Sequence, residues 1–176
     1  MRTVLRGMLQ VYTGSGKGKT TAALGLILRA LGHGRQVLLV RLLKPAEPVS
    51  GELLALERFP GIKVINAGLG VLGREVDHEQ VRQSILQALD EAGRCWSADN
   101  VDLLVIDEIN NALHRGLVSI QEVWNALATR PSHMEIVMTG RNAPKELLER
   151  ADLVTSMDCL RHPLQQGVPA RQGIEY

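Results

Sequence analysis

The chain has 176 residues, 45% of them hydrophobic and 22% charged, which suits one soluble domain large enough to bury a core. A formal net charge of +1 and an aromatic content of 3% leave no electrostatic footprint for nucleic acid or an anionic membrane, and no stacking platform for single strands. No apolar run reaches the length of a membrane span and residues 1–6 have no signal-peptide core, so a cytoplasmic protein is expected.

Strands and helices alternate along the chain, which predicts a parallel sheet covered on both faces. The apolar run Met8 to Tyr12 predicts a first strand, and Ala22, Ala23, Leu26, Ile27, Ala30 and Leu31 recur at helical spacing after it. Gly32-His33-Gly34 stops that helix. Gln36 to Leu43 predicts a second strand, nearly all apolar, as in a strand buried on both sides. Lys44 to Pro48 reads as a loop, 51–59 as a short helix and 62–67 as a third strand. A flexible glycine connection, Gly68 to Gly73, follows. Asp77-His78-Glu79-Gln80 resembles a helix N-cap, continued by Val81, Ile85, Leu89 and Ala92 to about Ser97. Residues 101–106 predict a fourth strand, ending at Asp107-Glu108. Ser119 to Glu122 is a capping box that opens a helix to about Ala128. Residues 134–139 predict a fifth strand, 144–151 a helix and 153–160 a last strand, with an irregular tail from Arg161. The expectation is a single domain over 1–176, without repeat or linker.

Between the first strand and the first helix lies Thr13-Gly14-Ser15-Gly16-Lys17-Gly18-Lys19-Thr20-Thr21. Strand, glycine loop, Lys-Thr and helix form the context of a phosphate-binding loop. Glycines let the backbone curl so that several N–H groups face one anion, and the helix adds its positive end. Lys19 is expected to reach the phosphates, and Thr20 to offer its hydroxyl to Mg²⁺. The common loop places a glycine where this chain has Thr13.

Ligands collect at the C-terminal ends of strands in such sheets. Four segments should meet there: the loop, Gly68 to Gly73, Asp107-Glu108 and Gly140-Arg141. A carboxylate closing the strand Leu103 to Ile106 can hold Mg²⁺ and offset triphosphate charge. Which of Asp107 and Glu108 does so is open, because adjacent strand residues point to opposite faces. Arg141 can clamp phosphate oxygens with its planar fork. The five histidines, His33, His78, His114, His133 and His162, lack paired metal-site spacing and suit surface or helix-end positions. Cys95 and Cys159 are expected to be isolated buried thiols.

These blocks resemble the P-loop-type ATP:corrinoid adenosyltransferases. Arg6 to Leu9 with Thr13 to Ala23 looks like the family's opening, Arg29 to Gly34 its helix end and Asp102 to Glu108 its acidic strand. Ala126 to Pro131 with Thr139 to Arg141 is similar to its late block, and Arg161-His162-Pro163 to Gly173-Ile174-Glu175-Tyr176 to its terminus. The resemblance implies a RecA-like P-loop fold, a doubly wound and mainly parallel α/β sheet of about six strands. It implies transfer of the 5′-deoxyadenosyl group of ATP to the cobalt(I) of cob(I)alamin or a precursor such as cob(I)yrinic acid a,c-diamide, with release of triphosphate and ATP lying reversed in the loop. The implied binding set is Thr13, Gly14, Ser15, Gly16, Lys17, Gly18, Lys19, Thr20, Thr21 and Arg141. The implied catalytic set is Lys19, Thr20 and Glu108, with Mg²⁺ on Thr20 and Asp107 or Glu108. A flavoprotein reductase as cobalt(I) donor and a homodimer follow from the same resemblance.

The sequence departs from the family at Val71 and Gly73, where well-studied members carry a Phe and a Trp that pack on the corrin. Ile109-Asn110-Asn111 after Glu108 is a smaller difference. Two other readings fit the loop. One is an ATPase releasing orthophosphate; the other is an ATP-binding module that has lost corrinoid adenosylation, as the missing aromatic pair suggests.

Overall fold

The computed structural model describes residues 6–44, 49–67, 77–98 and 100–174. Its strands are β1 (Leu9–Thr13), β2 (Val37–Leu42), β3 (Ile62–Ala67), β4 (Leu103–Asp107), β5 (Glu135–Thr139) and β6 (Leu153–Ser156). They form one six-stranded sheet in the order β3-β2-β4-β5-β1-β6, with every neighbouring pair parallel. All strand C-termini therefore point to one edge. β5 separates β1 from β4, so the glycine loop and the acidic pair rise from that edge with Thr139 between them.

The helices are α1 (Lys19–Gly32), α2 (Gly51–Leu56), α3 (His78–Ala98), α4 (Ile109–His114), α5 (Ile120–Ala126) and α6 (Lys145–Arg150). Two apolar clusters show how they are shared between the faces. Ala23 and Ile27 of α1 and Leu56 of α2 pack with Val37, Leu39, Leu103, Val105 and Val137. Residues of α3 to α6, among them Ile85, Ile109, Val123 and Leu147, pack with Leu38, Val40, Leu104, Ile106, Ile136 and Met138. The strand residues alternate strictly between the clusters, as the pleat demands. Fully buried side chains such as Ile27, Leu38, Leu104 and Ile106 each contribute about 1.5–3 kcal/mol relative to exposure.

The expected elements are present with shifted ends. β6 stops at Ser156 rather than running to Leu160, and α2 stops at Leu56. Two elements were not foreseen: α4, starting directly at Ile109, and a 3-10 turn over Pro163–Gln166 in the tail. α4 is short and follows a strand without a conventional cap. Its N-cap is Glu108 in the left-handed conformation, so no start signal appears in the sequence. Ser119 and Glu122 form the expected reciprocal capping box on α5. Asp77 makes one side of its expected cap, accepting the Glu79 N–H at 2.9 Å.

Cys95 is buried as expected, whereas Cys159 is exposed beyond the end of β6. His33, His78, His114 and His162 lie at helix ends. No described helix is long and apolar enough to cross a membrane. Val71 and Gly73, with the glycine connection around them, lie outside the described residues.

Candidate functional site

β1 delivers the loop and α1 leaves it, with Gly18 as the helix N-cap at φ 112°. The loop is pinned to the chain that continues β6. Met157 N donates to Thr13 O at 2.9 Å and Gly16 N to Met157 O at 2.7 Å. A Cβ on Gly14 would stand 2.4 Å from Met157 O, and one on Gly16 2.7 Å from the same oxygen. Real Cβ atoms do not approach a carbonyl so closely, so these positions need glycine for packing as well as for loop curvature.

A cavity of about 380 Å³ opens over the loop from Gly16 to Thr21. Lys17, Lys19, Lys44 and Arg141 bring positive charge to its wall, and Glu52 and Glu108 bring carboxylates. Lys19 is 8% exposed, its ammonium hydrogen-bonded to Gly14 O at 2.8 Å and Gly16 O at 2.5 Å. Burial, and next the nearby Arg141, holds the Lys19 pKa below that of an ordinary lysine. Arg141 follows Gly140 and is anchored by its backbone N–H on Asn111 Oδ1 at 2.9 Å. Thr13 turns away, its hydroxyl accepting Ala143 N–H at 3.2 Å. Ser15 is exposed on the loop.

The acidic pair divides. Asp107 shares the face of Leu103 and Val105, toward α1, and is 1% exposed. Thr20 Oγ1 donates to Asp107 Oδ1 at 2.9 Å, and Thr139 Oγ1 donates to the same oxygen at 2.5 Å. Lys44 Nζ reaches Asp107 Oδ2 at 2.6 Å and Thr20 Oγ1 at 3.2 Å. Glu108 sits at φ 69°; its N–H donates to Thr139 Oγ1 at 3.1 Å, and its Oε2 accepts from Asn111 Nδ2. Burial first, and the neighbouring Asp107 second, push the Glu108 carboxyl above the usual carboxylate range.

Of the four segments expected to meet, the loop, the acidic pair and Gly140-Arg141 do so. Lys44, Thr139 and Asn111 were not among the sequence candidates. Lys44 and Thr139 are polar residues at or just past the C-terminal ends of apolar strands, the same signal that marked Asp107. Asn110 is fully buried, and its side-chain N–H groups reach Tyr12 O at 3.2 Å and Gly140 O at 3.1 Å. It ties the tips of β1 and β5 to α4. Arg41, paired in register with Asp107 across β2 and β4, is also buried and bonds Asn66 Oδ1 and Ser50 Oγ, each at 3.3 Å.

The family model described as ATP:corrinoid adenosyltransferase BtuR/CobO/CobP matches residues 5–176. A corrinoid adenosyltransferase of Pseudomonas aeruginosa is 34% identical over 172 residues, which cover 97% of this chain and 84% of that protein. The corrinoid adenosyltransferase CobA of Salmonella typhimurium is 34% identical over 172 residues, covering 97% and 86%. Among solved structures, a KaiC-like protein from Pyrococcus horikoshii OT3 matches with a TM-score of 0.54 at 18% identity, covering 89% of this chain and 75% of that one. At that identity the likeness concerns the fold alone, a RecA-like P-loop sheet.

Proposed function

The chain belongs to the ATP:corrinoid adenosyltransferase family, and from that premise we propose how its site works. The protein is an ATP-dependent corrinoid adenosyltransferase: it transfers the 5′-deoxyadenosyl group of ATP to the cobalt(I) of a corrinoid substrate. The cobalt(I) electron pair forms the Co–C5′ bond, the C5′–O bond breaks, and triphosphate leaves with that bond's electrons. Cobalt(I) is already a strong nucleophile, so the protein's task is to position it and to stabilise the leaving group.

The observation that carries this reading is the meeting of Thr20 with Asp107 at 2.9 Å beside a cavity walled by Lys17, Lys19, Lys44 and Arg141. The backbone N–H groups between Gly14 and Lys19, apart from that of Gly16, which is bonded to Met157 O, and the N-terminal end of α1 would cradle the triphosphate. Lys19, Lys17 and Arg141 would take up charge as it leaves. The Thr20 hydroxyl and the Asp107 carboxylate are hard oxygen donors that already hold a cation, the Lys44 ammonium. That donor set fits Mg²⁺. When bound there, Mg²⁺ would neutralise phosphate charge. Asp107 suits this better than Glu108, whose Oε2 is committed to Asn111; Glu108 would border the nucleotide instead. Thr13 would support the loop from below rather than touch phosphate.

The reading extends to a flavoprotein reductase that supplies the electron for cobalt(I), to a homodimer and to a cytoplasmic setting. Incubation with ATP, Mg²⁺ and chemically reduced cobalamin or cobinamide should yield a light-sensitive adenosyl product and one triphosphate per turnover. Release of ADP and orthophosphate without corrinoid, and no adenosyl product from either corrinoid, would overturn it. Sedimentation of the intact protein tests the dimer.

A further inference from the structure

Lys44 occupies a position that the reaction itself does not explain. Its ammonium lies 2.6 Å from Asp107 Oδ2 and 3.2 Å from Thr20 Oγ1. Thr20 sends its hydroxyl proton to Asp107 Oδ1, so the lone pair facing Lys44 is the one that a divalent cation would take. The second carboxylate oxygen, Oδ2, is the other. The ammonium thus uses the two donors assigned above to Mg²⁺. The backbone sends it there: Leu43, the first residue past β2, is 6% exposed and adopts φ 60°. Non-glycine residues seldom adopt that left-handed conformation. Packing of the Leu43 side chain in the core holds the turn and points the next residue across the sheet edge toward Asp107.

We infer that the Lys44 ammonium is a tethered counter-cation that holds the Thr20–Asp107 seat in the metal-free protein and must leave it when the divalent cation binds. Two cations cannot share that pair of oxygens, because like charges at contact distance repel strongly in a half-buried site. In the metal-free protein Lys44 keeps the buried Asp107 carboxylate paired, which an apolar surrounding requires. When displaced, it remains on the wall of the same cavity and adds its charge to that of Lys17, Lys19 and Arg141 facing the phosphates. Metal binding and the reach of Lys44 toward the triphosphate become one event.

The inference rests on the placement of the metal at Thr20 and Asp107, and the test separates the two. Mn²⁺ is titrated by electron paramagnetic resonance into the wild-type protein and Lys44→Met, without nucleotide. Removing the competing charge should tighten Mn²⁺ binding by about tenfold or more. The variant should also melt lower than wild type without metal, and should gain more melting temperature from Mg²⁺ than wild type does. Equal Mn²⁺ affinity in the two proteins overturns the inference while leaving the metal placement intact. Failure of Mn²⁺ to bind wild type in the presence of ATP overturns that placement. If Lys44→Met does not fold, reductive methylation of the wild-type protein decides. Saturating Mn²⁺ should speed modification of Lys44 several-fold, and an unchanged rate overturns the inference.

Discussion

Thr139 Oγ1 stands 2.5 Å from Asp107 Oδ1 and also accepts the Glu108 N–H at 3.1 Å. One hydroxyl on β5 therefore holds both acids at the end of β4. It orients Asp107 toward Thr20 and fixes the left-handed turn at Glu108 that starts α4. The arrangement depends on β5 lying between β1 and β4, which sets Thr139 at the centre of the site's floor.

Thr139→Val keeps the volume and removes the hydroxyl. It leaves Asp107 with one donor fewer and the Glu108 N–H unpaired. Such losses cost about 1–3 kcal/mol, so chemical denaturation should show a lower midpoint at unchanged slope. Thr139→Ser should recover most of the loss, and a Val variant as stable as wild type would refute this role.

Lys19→Met removes an ammonium that sits 8% exposed among the loop carbonyls. ATP affinity measured by titration calorimetry should fall by about a hundredfold or more, roughly 2.7 kcal/mol. Far-UV circular dichroism should stay unchanged, because α1 keeps its packing through Ala23 and Ile27.

Gly16→Ala tests the seating of the loop on the chain after β6. Its new Cβ would meet Met157 O at 2.7 Å and Asp158 C at 2.8 Å, both backbone atoms that cannot swing aside. The loop must shift, breaking the Gly16 N–H bond to Met157 O. A cost of about 1–3 kcal/mol is expected, together with loss of ATP binding. Gly25→Ala, in α1 with open space at its Cβ, is the control and should bind ATP normally.

Glu108 gives the site a pH signature. Its folded-state pKa is raised, by burial first and by Asp107 second. A raised carboxyl contributes stability that is complete below the unfolded pKa and is lost as pH rises through the folded value. Glu108→Gln removes that loss. Melting curves should show the variant above wild type near neutral pH, with the difference vanishing once pH falls below the ordinary glutamate range, about 4.3. A constant difference across the range would exclude Glu108 as its source.

Part of this protein can be read along the chain because it is local. The strand, glycine loop, Lys19-Thr20 and helix are contiguous, and their pattern alone points to the proposed phosphate site. The alternation of apolar strands with amphipathic helices determines a parallel α/β sheet, and the resemblance around residues 13–21 already pointed to the family that the comparisons establish. The different contacts of Asp107 and Glu108 were not legible. β4 is buried on both faces, so Leu103 to Ile106 are all apolar and carry no two-residue period to mark which side faces α1. The same holds for Lys44 and Thr139, whose contacts with Asp107 span 63 and 32 residues. No local pattern records such distances. Only the strand order, which sets the ends of β2, β4, β5 and β1 side by side, brings Lys44, Asp107, Thr139 and Thr20 within hydrogen-bonding reach.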